Sequence, residues 1–314
     1  MSTVTEPGRA GVRVRAVLGD VAPDELGVCD SHDHLFFRSV VLPGQELDDI
    51  NAALAEARDF AAAGGQAIVQ WTPHGLGRRA AELPEISRNT GVSIVAATGL
   101  HRAEHYPEGF VDGVRDRLAE IFVRELTVGI GNSSVKAGLI KVAGGFHVLD
   151  QHAQLVMRAA AEAHHATRAP IAVHHEHGSA ADAVLDLLVD ELAVPPSSVI
   201  LGHLNRSPDH RAHRELAERG AWLAFDGPSR ANHATDPWLM ECLKTLVDQG
   251  YGDRLLLGGD TTTARARAAT GEGPGMPYLL THLRPRIERQ LGKDVAEAIF
   301  RTNPARAFAV EWRG

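Results

Sequence analysis

The sequence contains little cysteine and few aromatic residues. Its 314 residues include two cysteines, Cys29 and Cys242, and aromatic residues make up 5% of the chain. Cys29 lies in an apolar run and Cys242 in a helical pattern, so we expect two buried thiols rather than a disulfide. The composition therefore excludes a small fold that is held together by disulfides.

The sequence also lacks an excess of positive charge and any long apolar run. Its net charge is −8, from 32 basic and 40 acidic residues, which argues against nucleic acid or an anionic membrane as a partner. No apolar run approaches the ~20 residues of a membrane span, and the first residues lack the apolar segment of a signal peptide. We therefore expect a cytoplasmic protein that binds neither nucleic acid nor membrane.

What the sequence does contain is a regular alternation of short apolar runs and longer helical patterns. The runs predicted as strands are 26–35, 66–73, 93–101, 137–144, 170–178, 198–205, 221–228 and 254–262. The segments predicted as helices are 46–63, 111–127, 151–167, 180–193, 209–219, 236–249, 275–291 and 294–309.

Eight strands that alternate with helices predict an α/β protein, a (β/α)8 TIM barrel in a single domain. We expect residues 26–314 to form the barrel and residues 1–25 to be an N-terminal extension that packs on it. A doubly wound sheet is the alternative. No turn between a predicted strand and helix has the pattern G-x-G-x-x-G, which disfavours it.

Polar residues interrupt these apolar runs near their ends. His32 and His34 in CDSHDHL are two positions apart, so on a strand both rings face the same side. Four further polar residues stand in or just after later runs, and they are Lys141, His174, His203 and Asp260. Because the C-terminal ends of barrel strands meet at one face, we expect all six side chains to converge there.

This set of side chains predicts a centre with two metal ions. Imidazole nitrogen and carboxylate oxygen suit zinc, with cobalt, manganese and iron as alternatives. The ammonium form of Lys141 cannot bind a cation, but desolvation lowers a lysine pKa, and the free amine can take up CO2. The resulting carbamate has two oxygens that can bridge two ions. Ions ~3.5–4 Å apart can share a hydroxide that is nucleophilic at neutral pH.

These strand-end residues resemble the phosphotriesterase family of the amidohydrolase superfamily, including its phosphotriesterase-like lactonases. The similarity extends over VRAVLGDVAPDELGVCDSHDHL, GLIKVAGG, PIAVHHEHG, ILGHLNRSPD and LLLGGDTT. The resemblance implies that the more buried ion binds His32, His34 and Asp260. The more exposed ion would bind His174 and His203. The carbamylated lysine and a hydroxide would bridge the ions, and the aspartate would take the proton of the attacking hydroxide.

The resemblance also indicates residues that bind the substrate. Relatives have a tyrosine near the metals in the loop after the third strand, and Tyr106 is the candidate here. The loop GDTTTARARAATGEGPGMPYLL resembles a branch of the family that acts on lactones with an anionic group, often a phosphate. Arg230 and Arg265 are the cations that could hold such a group.

Two positions depart from the pattern of the family. Asp33 replaces the usual glutamate of H-E-H, and we expect its side chain to point away from the metals. Asn205 stands where relatives commonly have aspartate, as in H-L-D-R, which would weaken a proton shuttle at that position.

We therefore expect a metal-dependent hydrolase of ester bonds, acting on a lactone or carboxylic ester, with slow organophosphate hydrolysis as a side activity. The alternatives are a dedicated phosphotriesterase (aryldialkylphosphatase), an amide or N-acyl hydrolase, or a non-catalytic metal-binding barrel. A TatD-type nuclease would lack the lysine of the fourth strand and would need a basic groove. Relatives are often dimers, so a homodimer is consistent with the resemblance.

The remaining histidines receive a simpler interpretation. His74 and His101 lie at strand ends, as Trp71 does, and we expect these three to form the wall of the pocket. Five histidines in helical patterns are expected at the surface, and they are His152, His164, His165, His210 and His213.

Overall fold

A computed structural model describes residues 11–228 and 234–314 of the chain. Two short strands, β1 (Val14–Ala16) and β2 (Gly19–Val21), form an antiparallel hairpin before the barrel. The barrel strands are β3 (Cys29–Asp33), β4 (Ala67–Gln70), β5 (Ser93–Val95), β6 (Ala97–Gly99), β7 (Leu139–Gly144), β8 (Ile171–His175), β9 (Val199–Leu201), β10 (Trp222–Asp226) and β11 (Leu255–Gly258).

These strands pair in parallel and in sequence order around a closed barrel. One sheet has the order β3-β4-β5 and the other runs from β6 to β11, with Ala96 alone separating β5 from β6. The barrel closes where the chain after β11 meets β3, because the Asp260 N–H donates to the His32 carbonyl at 3.0 Å. Counting β5 and β6 as one strand gives eight, and the predicted single-domain TIM barrel is confirmed.

The helices follow the strands as expected, although several are shorter than predicted. They are α1 (Ile50–Ala62), α2 (Leu83–Thr90), α3 (Phe110–Val114), α4 (Leu118–Thr127), α5 (Gln151–Thr167), α6 (Ala181–Leu185), α7 (His210–Glu218), α8 (Leu239–Asp248), α9 (Arg284–Gln290), α10 (Lys293–Glu297) and α11 (Asn303–Phe308). Aspartates cap three of them, since the carboxylates of Asp49, Asp150 and Asp209 accept backbone N–H groups of α1, α5 and α7. Among the described residues, no helix combines the length and apolar character that crossing a membrane requires.

Alternation along the strands separates an inner core from an outer one. On β7, Leu139 packs inside the barrel, whereas Ile140 and Val142 pack against the helices. Lys141 has the parity of Leu139 and therefore faces inward. On β8 the same alternation turns His174 inward, two residues after the inner Ala172.

Strand β3 needs an irregularity to face its histidines inward. Cys29 belongs to the inner core, so strict alternation would direct His32 toward the helices. The pairing of β3 with β4 shifts between Asp30 and Asp33, which is typical of a β-bulge. After this shift the His32 ring stacks on Trp71 of the inner core, with ring centroids 3.8 Å apart.

The described part of the N-terminal segment covers the end of the barrel where the strands begin. Val14 is fully buried in the inner core, and the N–H of Val17 donates to the Ile94 carbonyl at 2.8 Å. The Arg15 guanidinium donates to the Leu126 carbonyl at 2.7 Å. The polar side chains predicted as ligands lie at the opposite end, where the strands finish.

We predict that Gly258→Ala will destabilise the closure of the barrel. A Cβ at this position would lie 2.4 Å from the carbonyl oxygen of His32, so β11 and β3 would have to separate. Overpacking of this kind costs about 1–3 kcal/mol. Thermal unfolding followed by circular dichroism should show a melting temperature several degrees below that of the wild type.

The control for this prediction is Gly113→Ala in α3. A Cβ there would have no neighbouring atom within 4 Å, and alanine favours a helix over glycine. Its melting temperature should be equal to or slightly above that of the wild type. Equal melting temperatures for the two variants would contradict this account of barrel closure.

Candidate metal centre

His32, His34 and Asp260 form one group of buried candidate ligands. The Nε2 atoms of His32 and His34 lie 3.4 and 3.6 Å from Oδ1 of Asp260. One ligand atom from each residue lies within 4.8 Å of the other two. Nitrogen and oxygen donors this close together can bind one divalent ion.

A hydrogen-bond chain determines the tautomer of His34. The Thr72 hydroxyl donates to the Phe36 carbonyl at 2.5 Å and lies 2.7 Å from Nδ1 of His34. Because its proton is already used, the hydroxyl must accept from the Nδ1–H of the ring. Nε2 therefore keeps its lone pair on the side that faces Asp260.

Asp226, which the sequence analysis did not select, orients two further rings. Its carboxylate oxygens lie 3.2 Å from Nδ1 of His32 and 2.6 Å from Nδ1 of His203. A carboxylate on the second ring nitrogen is a common support for a histidine that binds a metal. The signal for Asp226 was available, because it is the last residue of a predicted apolar strand, in AWLAFDGP.

Lys141 and His174 complete the centre on the other side of the barrel. Nζ of Lys141 lies 3.1 Å from Nδ1 of His101, and the rings of His101 and His174 are 4.7 Å apart. The rings of His174 and His203 are 4.4 Å apart. The structure thus brings all six predicted ligands into one cavity, with His101 beside them.

Two residues of the centre have a strained backbone. His203 has φ of 62° and Asp260 has φ of 51°, in the left-handed region that residues other than glycine seldom adopt. The carboxylate of Asp33 binds the loop that contains Asp260. Its Oδ1 accepts the N–H groups of Thr261 at 2.9 Å and His34 at 2.7 Å. Asp33 thus points into this loop, which agrees with the expectation that it points away from the metals.

Burial favours the neutral forms of the lysine and of three imidazoles of the centre. Desolvation lowers the pKa of Lys141 to about 7, to which Arg206 contributes and which Asp260 opposes. Desolvation also lowers the pKa of His203 to about 4 and lowers the pKa values of His34 and His174. Neutral imidazoles and a neutral amine have the lone pairs that ligation or reaction with CO2 requires.

Asp260 stays ionised in spite of its burial. Desolvation favours the protonated form, but the neighbouring rings of His203 and His32 and the Arg206 guanidinium hold its pKa well below the ordinary value. The guanidinium contacts Oδ2 of Asp260 directly and lies 3.6 Å from Oδ2 of Asp226. The sequence analysis missed Arg206, although it follows His203 in HLNR.

The cavity above these residues has a volume of about 500 Å³. Apolar side chains of Phe37, Val41 and Leu42 form one wall, and Arg102 and Arg206 contribute positive charge. This volume and mixed lining suit a small organic molecule.

Two of the three residues predicted to bind substrate are described, and neither lines the cavity. Tyr106 is buried, its hydroxyl accepts the N–H of His101 at 2.8 Å, and it lies outside the described cavity lining. Arg265 also lies outside that lining, is largely exposed, and is 3.7 Å from Glu272. Arg230 lies outside the described residues. Substrate binding by these three residues stays a prediction.

Asn205 has a structural role in the described centre. Its Nδ2 donates to the carbonyl of Asp226 and its Oδ1 accepts the N–H of Asp226, both at 3.0 Å. The side chain is fully buried, and both ends of its amide bind the backbone of the residue that orients His32 and His203. An aspartate would have no donor for the carbonyl.

Two expectations about the other histidines and cysteines had different outcomes. Both cysteines are free and buried, as predicted. The surface position predicted for the helical histidines is wrong for His164 and His213, which are 1% and 2% exposed. Each turns its ring toward a backbone carbonyl, Ala169 and Leu204 respectively, on the buried side of its helix.

Comparison with known proteins shows that the chain is similar to several hydrolases. The model of the phosphotriesterase family matches residues 12–308. A phospho-furanose lactonase from Mycoplasmopsis synoviae is 28% identical, with 95% of this chain and 92% of that protein covered. An N-acetyltaurine hydrolase from Danio rerio is 25% identical, with 94% and 97% covered. A crystal structure of a lactonase from Listeria monocytogenes has a TM-score of 0.87 at 28% identity, with 94% and 98% covered.

We predict that Asn205→Asp will destabilise the protein by about 1–3 kcal/mol. The carboxylate would lose the hydrogen bond to the Asp226 carbonyl and would add a buried negative charge beside it. Urea unfolding measures the change, and Asn51→Asp is the control, because Asn51 is exposed in the first turn of α1. Equal unfolding free energies for the two variants would refute the structural role of Asn205.

Lys141→Met should stabilise the metal-stripped protein near pH 7. The lysine pKa falls from 10.5 to about 7 on folding, so the unfolded chain binds one more proton between these values. The stability of the wild type should therefore rise by about 1–3 kcal/mol between pH 7 and pH 9, and this increment should be absent in the variant. Lys293→Met, at an exposed position, is the control and should keep the increment. A variant with the same pH dependence as the wild type would contradict the lowered pKa.

Proposed function

Because the chain belongs to the phosphotriesterase family, we propose that it hydrolyses a lactone whose substituents include an anionic group. Membership makes it a hydrolase, and its relatives include enzymes named lactonases. The observation that supports the proposal is the convergence of four imidazoles, an ionised carboxylate and a lysine of lowered pKa in one cavity. A pocket of about 500 Å³ accommodates a furanose-sized lactone with one further group.

The donor set fits two divalent ions, of which zinc is favoured. We assign one ion to His32, His34 and Asp260, and the other to His174 and His203. The neutral amine of Lys141 can add CO2 with loss of one proton, and the carbamate formed would then be shared by both ions. When bound, the ions would polarise the ester carbonyl and activate water for attack at neutral pH.

Asp260 is the residue that we assign to proton transfer. Its carboxylate is ionised, it lies on the cavity surface, and it can accept the proton of the attacking water. The water oxygen bonds to the carbonyl carbon, the ring C–O bond breaks, and Asp260 returns the proton to the leaving alkoxide. The product is a hydroxy acid, and Asn205 has no part in the transfer because its amide is engaged with the backbone.

The cavity lining includes two arginines that could bind an anionic group, each of them also paired with carboxylates. Arg102 lies there beside Glu104 and Glu176, and Arg206 lies deeper against Asp260. Two relatives have names that indicate anionic substrates, a phospho-furanose lactonase and an N-acetyltaurine hydrolase. We propose that Arg102 contributes to binding the anion at the entrance, together with any contribution from Arg230 and Arg265.

The second candidate function is hydrolysis of an N-acyl amide. N-acetyltaurine hydrolases of four vertebrates are 24–27% identical to the chain over 93–94% of its length. An N-acyl amide offers the same carbonyl for attack, and its sulfonate would take the place of the phosphate. Slow organophosphate hydrolysis stays a prediction.

The test compares four substrates with zinc-loaded protein: a furanose lactone phosphate, the same lactone without phosphate, N-acetyltaurine and a dialkyl aryl phosphate. We expect the phosphorylated lactone to have the highest kcat/KM. Asp260→Asn should lower kcat by about 10²–10⁴. Arg102→Met should raise KM for the phosphorylated lactone and leave the neutral lactone unchanged. A preference for N-acetyltaurine would favour the second candidate, and no turnover of any substrate would refute both.

Metal analysis by plasma mass spectrometry is the matching measurement on the centre. Lys141→Ala should contain about two ions per chain fewer than the wild type. Lys293→Ala, at an exposed position, should retain the content of the wild type. Equal metal content in both variants would contradict the bridging role of Lys141.

A further inference from the structure

A second group of candidate ligands lies outside the barrel, between α7 and α8. It consists of His210 and His213 on α7 and Cys242 on α8. One ligand atom from each of these residues lies within 4.8 Å of the other two. We propose that these three side chains bind a zinc ion that is separate from the catalytic centre.

The helices bring the three residues together for a simple reason. His210 and His213 are three positions apart, so they occupy the same face of α7. Cys242 lies on the buried face of α8 with Leu239, Leu243 and Leu246, at the spacing of an amphipathic helix. Packing of α7 against α8 therefore places the thiol opposite the two rings.

The orientation of His213 is the independent observation in favour of a ligand. Its Nε2 lies 3.1 Å from the Leu204 carbonyl and donates to it, so Nδ1 carries the lone pair. Nδ1 is buried and has no hydrogen-bond partner among the residues that the structure describes, and the same holds for Nδ1 of His210. Metal-binding histidines commonly donate their other N–H to a backbone carbonyl in this manner.

The donor types identify the class of ion. Two imidazoles and one thiolate are ligands of zinc, and the sulfur disfavours calcium and magnesium. Binding replaces the S–H bond of Cys242 by a bond between sulfur and zinc and releases the proton to solvent. His210 is only partly buried, so the ion can enter from the surface and keep water as a fourth ligand.

The site would join two helices of the outer layer and would also contact the loop after β9. His213 binds the carbonyl of Leu204, which directly follows the predicted catalytic ligand His203. None of the three proposed ligands lies in the described lining of the catalytic cavity. The ion would therefore stabilise the support of the catalytic loop without contacting the substrate.

Cobalt provides a test that separates this site from the catalytic one. The full chain is stripped of metal and reloaded with Co²⁺, and the near-ultraviolet charge-transfer absorption of a thiolate bound to Co²⁺ is recorded. The six predicted catalytic ligands contain no sulfur, so this band reports only an ion bound at a cysteine. We expect a band that saturates at one Co²⁺ per chain. Absence of the band in excess Co²⁺ would overturn the proposal.

Variants show which cysteine binds the ion and distinguish loss of the ion from misfolding. Cys242→Ala should abolish the band, whereas Cys29→Ala should retain it, since Cys29 is the other cysteine of the sequence. His210→Gln removes a partly exposed ligand and should weaken Co²⁺ binding at least tenfold while the circular dichroism spectrum stays native. A band that persists in Cys242→Ala, or unchanged affinity in His210→Gln, would refute the site.

A count of zinc ions distinguishes this proposal from the catalytic one. In Lys141→Ala one zinc per chain should remain, and the additional change Cys242→Ala should remove it. Loss of all zinc in Lys141→Ala alone would overturn the second site. Failure of the lactone assay with the cobalt band intact would affect only the proposed function.

Discussion

The burial of two ionised carboxylates at the mouth of the barrel is the constraint on which this structure depends. Asp226 and Asp260 are both buried, their pKa values are lowered, and an uncompensated buried charge costs several kcal/mol. Imidazoles and the Arg206 guanidinium lie beside both carboxylates, and the Lys141 amine interacts with Asp260. A divalent ion is the compensating charge that the same donors would also accept.

The backbone around the centre is arranged to support these carboxylates. Asp260 and His203 both adopt left-handed conformations, which other contacts must hold in place. Asp33 binds the amides beside Asp260, and Asn205 binds the backbone on both sides of Asp226. Asp33 and Asn205, the two departures from the family pattern, therefore support the candidate ligands by binding the backbone around them.

The lowered pKa of the buried Lys141 shows that function and stability are opposed at this site. Lys141 contributes to the proposed chemistry only if its amine loses a proton, and folding enforces this loss by removing water from it. The same desolvation lowers the stability of the folded chain near pH 7. A metal ion that binds only the folded state would raise the free energy of unfolding and would offset part of this loss.

The sequence by itself determined the architecture and the six polar residues at the strand ends. This was predictable because strand and helix periodicity are local properties, and because parallel strands of a closed barrel must end at one face. Only the tertiary structure decided how the ligands are oriented. The bulge in β3, the pairing of Asp226 with His32 and His203, and the two bonds of Asn205 join segments 21 to 194 residues apart.

The same reason explains why the contacts of helical and loop residues could not be predicted. The buried position of His213 depends on which face of α7 meets the barrel and α8, and helical spacing alone leaves that face open. The Tyr106 hydroxyl binds a backbone N–H, and Arg265 lies beside the carboxylate of Glu272. These contacts depend on how each loop packs, which the local sequence does not determine. Periodicity thus determines what a strand or helix can present, and long-range packing decides what each side chain contacts.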